Sequence, residues 1–251
     1  MRTLAVIPAR LGATRLPRKP LRLLAGLPLV VRVWQRVVET EVAERVVVAT
    51  DSDEVASVVT ANGGDVVLTS PNHVSGTHRV AEVAMRSEFS GFDVIVNVQG
   101  DEPFVSQRAL LGAARKVTDD RFPIGTAAVL ATPQILDDPN VVKVVAADDG
   151  RAMYFSRAPV PFLRDVSDAE LQRTLIWQHI GIYAYERSAL MQWIALPESP
   201  LEHVERLEQL RPLSAGIAIG VALIDEPVRP GIDTEDDLER ANRNWTVFST
   251  G

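Results

Sequence analysis

Four cations fall within one short loop near the start of the chain: Arg10, Arg15, Arg18 and Lys19, with Gly12, Pro17 and Pro20 among them. An arginine presents a planar fork that matches phosphate oxygens, and a lysine presents a compact charge. A glycine lets backbone N–H groups approach an anion, and prolines limit how much loop must be ordered on binding. Together these suit a grip on a polyphosphate. The loop is not a P-loop, because Pro17 stands where the second glycine of G-x-x-x-x-G-K-[ST] belongs, and Arg18 and Lys19 fill the last two places. Nor does it read G-x-G-x-x-G. A run of cations also serves as a plain solvated surface. The place of this one, straight after an apolar run at residues 4–7 that halts at Pro8, favours the anion site.

The composition makes that loop stand out. The 251 residues carry a net charge of −7, so non-specific nucleic-acid binding, which needs a basic field, is not expected. Any bound anion must be held by a local cluster. Lysine occurs only at positions 19, 116 and 143, an imbalance that GC-rich codon usage accounts for, though it leaves Lys19 conspicuous. With no cysteine there is no disulfide, thiolate nucleophile or thiolate metal site. The longest apolar run, 215–224, is broken by Gly216 and Gly220 and falls short of the ~20 residues of a membrane helix. No signal-peptide pattern is visible, so a cytoplasmic protein with no membrane partner is expected.

The elements that must position the loop alternate. Strands are expected at 4–7, 45–49, 65–68 and 93–98, and helices at 29–38, 53–61, 75–86 and 106–118. Alternation of this kind implies right-handed crossovers, an α/β fold of three layers and a mainly parallel, Rossmann-like sheet. Ligands of such sheets lie beyond the carboxyl ends of the strands, where both the basic loop and Gln99-Gly100-Asp101 fall. After about residue 124 the pattern changes. A hairpin is expected from 141–147 and 152–156, a Pro-interrupted stretch at 158–163, strands at 176–185 and 217–223, and helices at 200–210 and 235–245. We read residues 1–251 as one domain with a β-rich excursion at about 135–185.

Residues 10–20, Arg-Leu-Gly-Ala-Thr-Arg-Leu-Pro-Arg-Lys-Pro, resemble the signature loop of the sugar-acid cytidylyltransferases. The resemblance continues through Ala49-Thr50-Asp51, Ser75-Gly76-Thr77, Asn97-Val98-Gln99-Gly100-Asp101-Glu102-Pro103 and Tyr154-Phe155-Ser156-Arg157. It resumes at His179-Ile180-Gly181-Ile182-Tyr183, Pro200-Leu201-Glu202-His203, Leu207-Glu208-Gln209-Leu210-Arg211 and Gly231-Ile232-Asp233-Thr234. Each match is weak alone; their order and spacing are specific, and they cover essentially the whole chain. The nearest branch is the one that uses 3-deoxy-D-manno-octulosonate (Kdo). The resemblance implies transfer of CMP from CTP to Kdo with release of pyrophosphate, dependence on Mg²⁺, and a place in lipopolysaccharide assembly.

The resemblance also implies roles. Arg10 and Lys19 would hold the triphosphate and offset charge on the leaving group. Ala9, Gly12, Thr14, Ser75 and Gly76 would lie against the nucleotide. Asp101 and Asp233 would be hard oxygen ligands for Mg²⁺, with Glu102 a weaker candidate. The alternative for Asp233 is a cap on the closing helix, which Thr234 could supply instead. Arg15, Gln99, Arg157, His179, Tyr183, Glu208 and Gln209 would form the sugar-acid pocket. Departures from the pattern are Ala13 for serine, Arg18 for glycine and His78 for glutamate. The apolar, Pro-broken segment of Phe155, Pro159, Val160, Pro161 and Phe162 suits a two-fold interface, as in a homodimer. Two alternatives remain at this point: a cytidylyltransferase for another sugar acid such as a sialic acid, and a nucleotide-binding module without catalysis.

Overall fold

The first apolar run, Leu4-Ala5-Val6-Ile7, lies in β1 (Thr3–Ala9), and all four of its residues are completely buried. That burial on both faces is what a central parallel strand requires. The computed structural model describes residues 1–12, 15–227 and 231–246. Among these, residues 1–107 with 231–246 form one compact unit and 108–227 another.

In the first unit β1 is followed by the small hairpin β2 (Leu23–Leu24) and β3 (Leu27–Pro28), then α1 (Leu29–Glu39), β4 (Arg45–Thr50), α2 (Asp53–Ala61), β5 (Asp65–Leu68), α3 (Gly76–Met85) and β6 (Val94–Asn97). At the boundary α4 (Gln107–Thr118) leads into the second unit. There follow β7 (Ile124–Leu130), β8 (Lys143–Ala146), β9 (Ala152–Ser156), α5 (Ala169–Arg173), β10 (Trp177–Glu186), α6 (Arg187–Ala195), α7 (Pro200–Glu205), α8 (Leu210–Ser214) and β11 (Ile219–Ile224). The closing helix α9 (Glu235–Arg243) belongs to the first unit again.

The first unit is wholly parallel in its main sheet, ordered β6-β1-β4-β5, with Thr3 opposite Val94 and Leu4 opposite Arg45. The second unit is ordered β11-β7-β10-β8-β9, and only β11 and β7 pair in parallel. The fold is therefore α/β and mostly parallel, with antiparallel strands where the sequence pattern changes. The stretch expected to be β-rich, 135–185, contains β8, β9 and most of β10 and lies within the second unit.

Local chemistry explains most boundaries. The Ser52 side chain caps α2 by accepting from the Val55 N–H, and Gly63 supplies the positive φ of 81° just past its end. Four elements were not foreseen: the β2–β3 hairpin, β7, α5 and α6. The apolar run at 124–130 is rich in Ala and Gly, which weakens its strand signal. The helix expected at 200–210 is two short helices. It breaks at Arg206, whose backbone is left-handed at φ 55°. A capping box between Ser199 and Glu202 starts α7, and Arg211 forks onto Glu202 at 2.8 and 2.7 Å, folding the segment back.

Candidate active site

Three segments meet at the carboxyl end of β1. The basic loop leaves that strand directly, and a short turn at Lys19–Leu21 follows Arg18, which sits in the left-handed region at φ 57°. The second segment leaves β6. Val98 donates its N–H to Val6 O at 3.1 Å, and the chain then turns through Gln99, Gly100 and Asp101. A Cβ on Gly100 would lie 2.8 Å from Pro8 O, so only glycine lets this turn rest against the end of β1. The third segment precedes α9. Ile232 N–H donates to Asp101 O at 2.9 Å. Thr234 caps α9 in a capping box with Asp237, and Asp237 Oδ2 also accepts the Asp233 N–H at 3.2 Å. Thr234 therefore does the capping, and the Asp233 carboxylate remains available to other partners.

The partner it takes is Lys19. The Lys19 ammonium lies 2.6 Å from Asp101 Oδ2 and 2.7 Å from Asp233 Oδ1, and Arg15 reaches Asp233 Oδ2 at 3.1 Å. Burial alone would lower the Lys19 pKa, but the two carboxylates outweigh it and raise it, so the ammonium stays charged. Glu102, beneath them, is pushed up to about 8 by burial and by the charges of Asp101 and Asp233, against the opposing pull of Lys19. The corner thus sets two carboxylates, Asp101 and Asp233, against two cations, Lys19 and Arg15.

These groups line a cleft of about 380 Å³. Pro8, Ala9, Arg10, Gly12 and Arg15 form one wall, Ser75, Gly76 and Arg79 another, and Gln99, Gly100, Asp101, Lys19 and Asp233 close it. Arg10 is exposed and makes no side-chain ion pair or hydrogen bond with any described residue, so its guanidinium is uncommitted. Arg18 is different: it pairs with Glu54 on α2 and does not line the cleft. Thr14 and the departure at Ala13 lie outside the described residues. His78, unexplained from sequence, places Nδ1 2.9 Å from Ser75 Oγ, the hydroxyl that caps α3.

Two cleft residues escaped the sequence reading. Arg79 is nearly fully buried and reaches Asp51 at 3.0 Å and Thr69 Oγ1 at 2.5 Å. His73 meets Glu82 at 2.6 Å. The signal for Arg79 was Asp51 itself, an acid at the carboxyl end of β4 that needs a partner.

Of the residues expected to bind the sugar acid, Arg15 and Gln99 are in this cleft, whereas Arg157, His179, Tyr183, Glu208 and Gln209 belong to the second unit. There the His179 ring packs against Phe155 and Tyr183, with centroids 5.0 and 5.5 Å away, and burial drops its pKa to about 3. Thr126 Oγ1 donates to Ile182 O at 2.7 Å, so it accepts from His179 Nε2–H at 2.9 Å, leaving Nδ1 as the acceptor of a neutral ring. Tyr183 is buried and stacked on Tyr185, and burial raises its phenol well above the ordinary value. Gln209 is buried just before α8.

Two residues given functional roles from sequence have partners within their own unit. The Arg157 guanidinium donates to Glu205 O and Pro139 O, each at 2.8 Å, and more distantly to Arg206 O. These backbone carbonyls lie where β9 ends. Phe155, expected at a two-fold interface, is fully buried within its own unit, while Phe162 is 81% exposed.

Comparison with known proteins gives one consistent result. The cytidylyltransferase family model matches residues 4–219. A 3-deoxy-manno-octulosonate cytidylyltransferase of Gemmatimonas aurantiaca is 61% identical over 248 residues, covering 99% of this chain and 96% of that relative. One of the same name from Methylorubrum extorquens is 46% identical over 244 residues, covering 95% of this chain and 94% of its own. A solved CMP:2-keto-3-deoxy-manno-octonic acid synthetase complexed with CTP superposes with a TM-score of 0.90 at 35% identity, covering 98% of this chain and 99% of that one. With its basic loop, its paired carboxylates and these relatives, the chain belongs to the cytidylyltransferase family.

Proposed function

We propose that the protein transfers a cytidylyl group from CTP to 3-deoxy-D-manno-octulosonate, releasing pyrophosphate. One observation carries the chemistry. A charged lysine is held between two carboxylates from distant segments, in a cleft also lined by Arg10, which pairs with no described residue. The attacking sugar hydroxyl and the leaving pyrophosphate need positioning and charge neutralisation more than covalent help. Arg10 and Lys19 supply positive charge for the triphosphate, and Ala9, Ser75 and Gly76 offer a narrow wall for the nucleoside.

The donors fit Mg²⁺. Asp101 and Asp233 already share one cation, the Lys19 ammonium, and each keeps an oxygen that the ammonium does not take. Two carboxylates with the remaining positions left to phosphate and water are what Mg²⁺ usually takes. Bound there, Mg²⁺ would draw charge from the triphosphate and favour the leaving of pyrophosphate. The proposed sugar contacts are Arg15, Gln99, His179, Tyr183, Glu208 and Gln209, with neutral His179 offering a hydrogen-bond acceptor. The product would serve lipopolysaccharide assembly.

No helix among the described residues is long and apolar enough to cross a membrane. We propose a cytoplasmic homodimer, with exposed Phe162, Val166 and Leu171 of the second unit as its contact surface. The test is pyrophosphate release from CTP and Mg²⁺ with a panel of sugar acids. Release with Kdo is expected. Release with a sialic acid alone would reassign the sugar, and CTP binding without turnover on any sugar would remove catalysis. Light scattering at micromolar concentration tests the dimer.

A further inference from the structure

Lys19 and Asp233 are 214 positions apart, and their meeting depends on how α9 sits on the first unit. The Asp101 side of the triangle has its own fixing, the backbone bond from Ile232 N–H to Asp101 O. The Lys19 side is fixed differently. Arg22, three residues after Lys19, forks onto Glu235, two residues after Asp233, with nitrogen–oxygen distances of 2.8 and 2.5 Å. Farther along α9, Asn242 accepts from the Ala25 N–H at 2.8 Å and donates to Leu23 O at 3.2 Å. Beyond the helix, the Arg32 guanidinium lies 4.4 Å from the centre of the Trp245 ring while its Nε donates to Leu24 O at 3.0 Å. The β2–β3 hairpin and α9 are therefore joined at several points along the helix, and the joint nearest the cleft is the Arg22–Glu235 fork.

We propose that Arg22 and Glu235 are a positioning pair for the reaction: their fork sets the reach between Lys19 and Asp233 without either side chain touching substrate. This rests on the catalytic reading of Lys19 and Asp233 given above. Capping fixes Asp233 to α9, because Asp237 holds the Asp233 and Thr234 N–H groups at 3.2 and 3.0 Å. The short turn fixes Lys19 to Arg22, because the Arg22 N–H donates to Lys19 O at 3.1 Å. A fork between the two rigid pieces transmits directly to the ammonium–carboxylate distance. Most surface ion pairs do little for stability. This one is bidentate and sits where a shift of about 1 Å is costly to catalysis.

The test is charge reversal. R22E and E235R should each lower kcat by about tenfold while leaving KM for the sugar acid within about twofold, and R22E/E235R should recover most of the loss. Two further readouts are independent of turnover. Calorimetric binding of Mg²⁺-CTP should weaken in each single variant and return in the double. Amide hydrogen exchange across residues 235–243 should follow the same pattern. Singles that behave as wild type, or a double no better than either single, would overturn the pairing. If the wild type released no pyrophosphate while Mg²⁺-CTP binding still followed the reversal pattern, the catalytic reading would fall and the positioning pair would stand.

Discussion

Lys19 and Lys143 are both withdrawn from water, and they are held by opposite means. Lys19 keeps 12% of its side chain exposed, at the rim of a cleft, and its partners are two carboxylates. Lys143, on β8, is completely buried and donates to three backbone carbonyls, Asp138 O at 3.0 Å, Val141 O at 2.8 Å and Arg157 O at 2.5 Å. Burial lowers its pKa, with nearby Arg157 adding to the effect and Asp138 and Glu205 opposing it. An ammonium has three N–H donors, and all three of Lys143 are spent on main chain. Lys19 faces groups that a phosphate or a metal ion can replace. The first arrangement is exchangeable and suits chemistry; the second is permanent and suits architecture. Arg10 and Arg157 repeat the contrast, one guanidinium in the cleft with no partner among the described residues and the other donating to carbonyls at the end of β9.

The comparison breaks if the two lysines respond alike to substitution. Lys19→Ala and Asp101→Asn should each lower kcat by at least ~100-fold in pyrophosphate release while leaving the urea midpoint little changed. Lys143→Met should do the reverse. It removes three hydrogen bonds from a fully buried side chain, so unfolding free energy should fall by about 2 kcal/mol, while Mg²⁺-CTP affinity in the folded fraction is kept. Arg157→Lys cannot fork onto two loops and should cost about 1 kcal/mol by urea unfolding. It should also raise KM for the sugar acid and leave KM for CTP alone. A larger loss for sugar acid than for any uncharged analogue would restore Arg157 as a direct carboxylate ligand.

A separate effect is one of pH. His179 has its folded pKa depressed to about 3, below the ordinary 6.5. As pH falls through 6.5 the unfolded chain takes up this proton and the folded one does not, so stability is full above 6.5 and declines toward 3. His179→Asn should flatten that part of the urea-midpoint profile. An unchanged slope would mean that the ring is protonated in the folded protein.

What the sequence disclosed follows the same division. The main-sheet strands and the helices of the first unit, though not its β2–β3 hairpin, were readable because a parallel sheet covered on both faces needs unbroken apolar runs, and Ser52, Ser75 and Gly63 mark helix ends in residue type. Lys19 and Asp101 drew attention as charges beyond strand ends, whereas Asp233 and the roles of all three entered through the resemblance to the family. The fate of Arg157 was not readable, since carbonyls carry no residue identity and every sequence offers them. Nor was the Arg22–Glu235 fork, whose partners are far apart in the chain and ordinary in type. The Ala- and Gly-rich β7 hid for a related reason: Gly125 has Ala113 O 2.1 Å from where a Cβ would stand, so close helix packing selected a residue that reads as a poor strand former.

The left-handed residue between α7 and α8 has one more effect. Had the helical pattern continued unbroken from Pro200 to Leu210, the carbonyls of Glu205 and Arg206 would have been tied up by N–H groups one turn later. The interruption at Arg206 turns them outward as lone pairs without a helical claimant, and the Arg157 side chain comes to rest on them. A single backbone reversal thereby creates the acceptor that anchors a neighbouring strand.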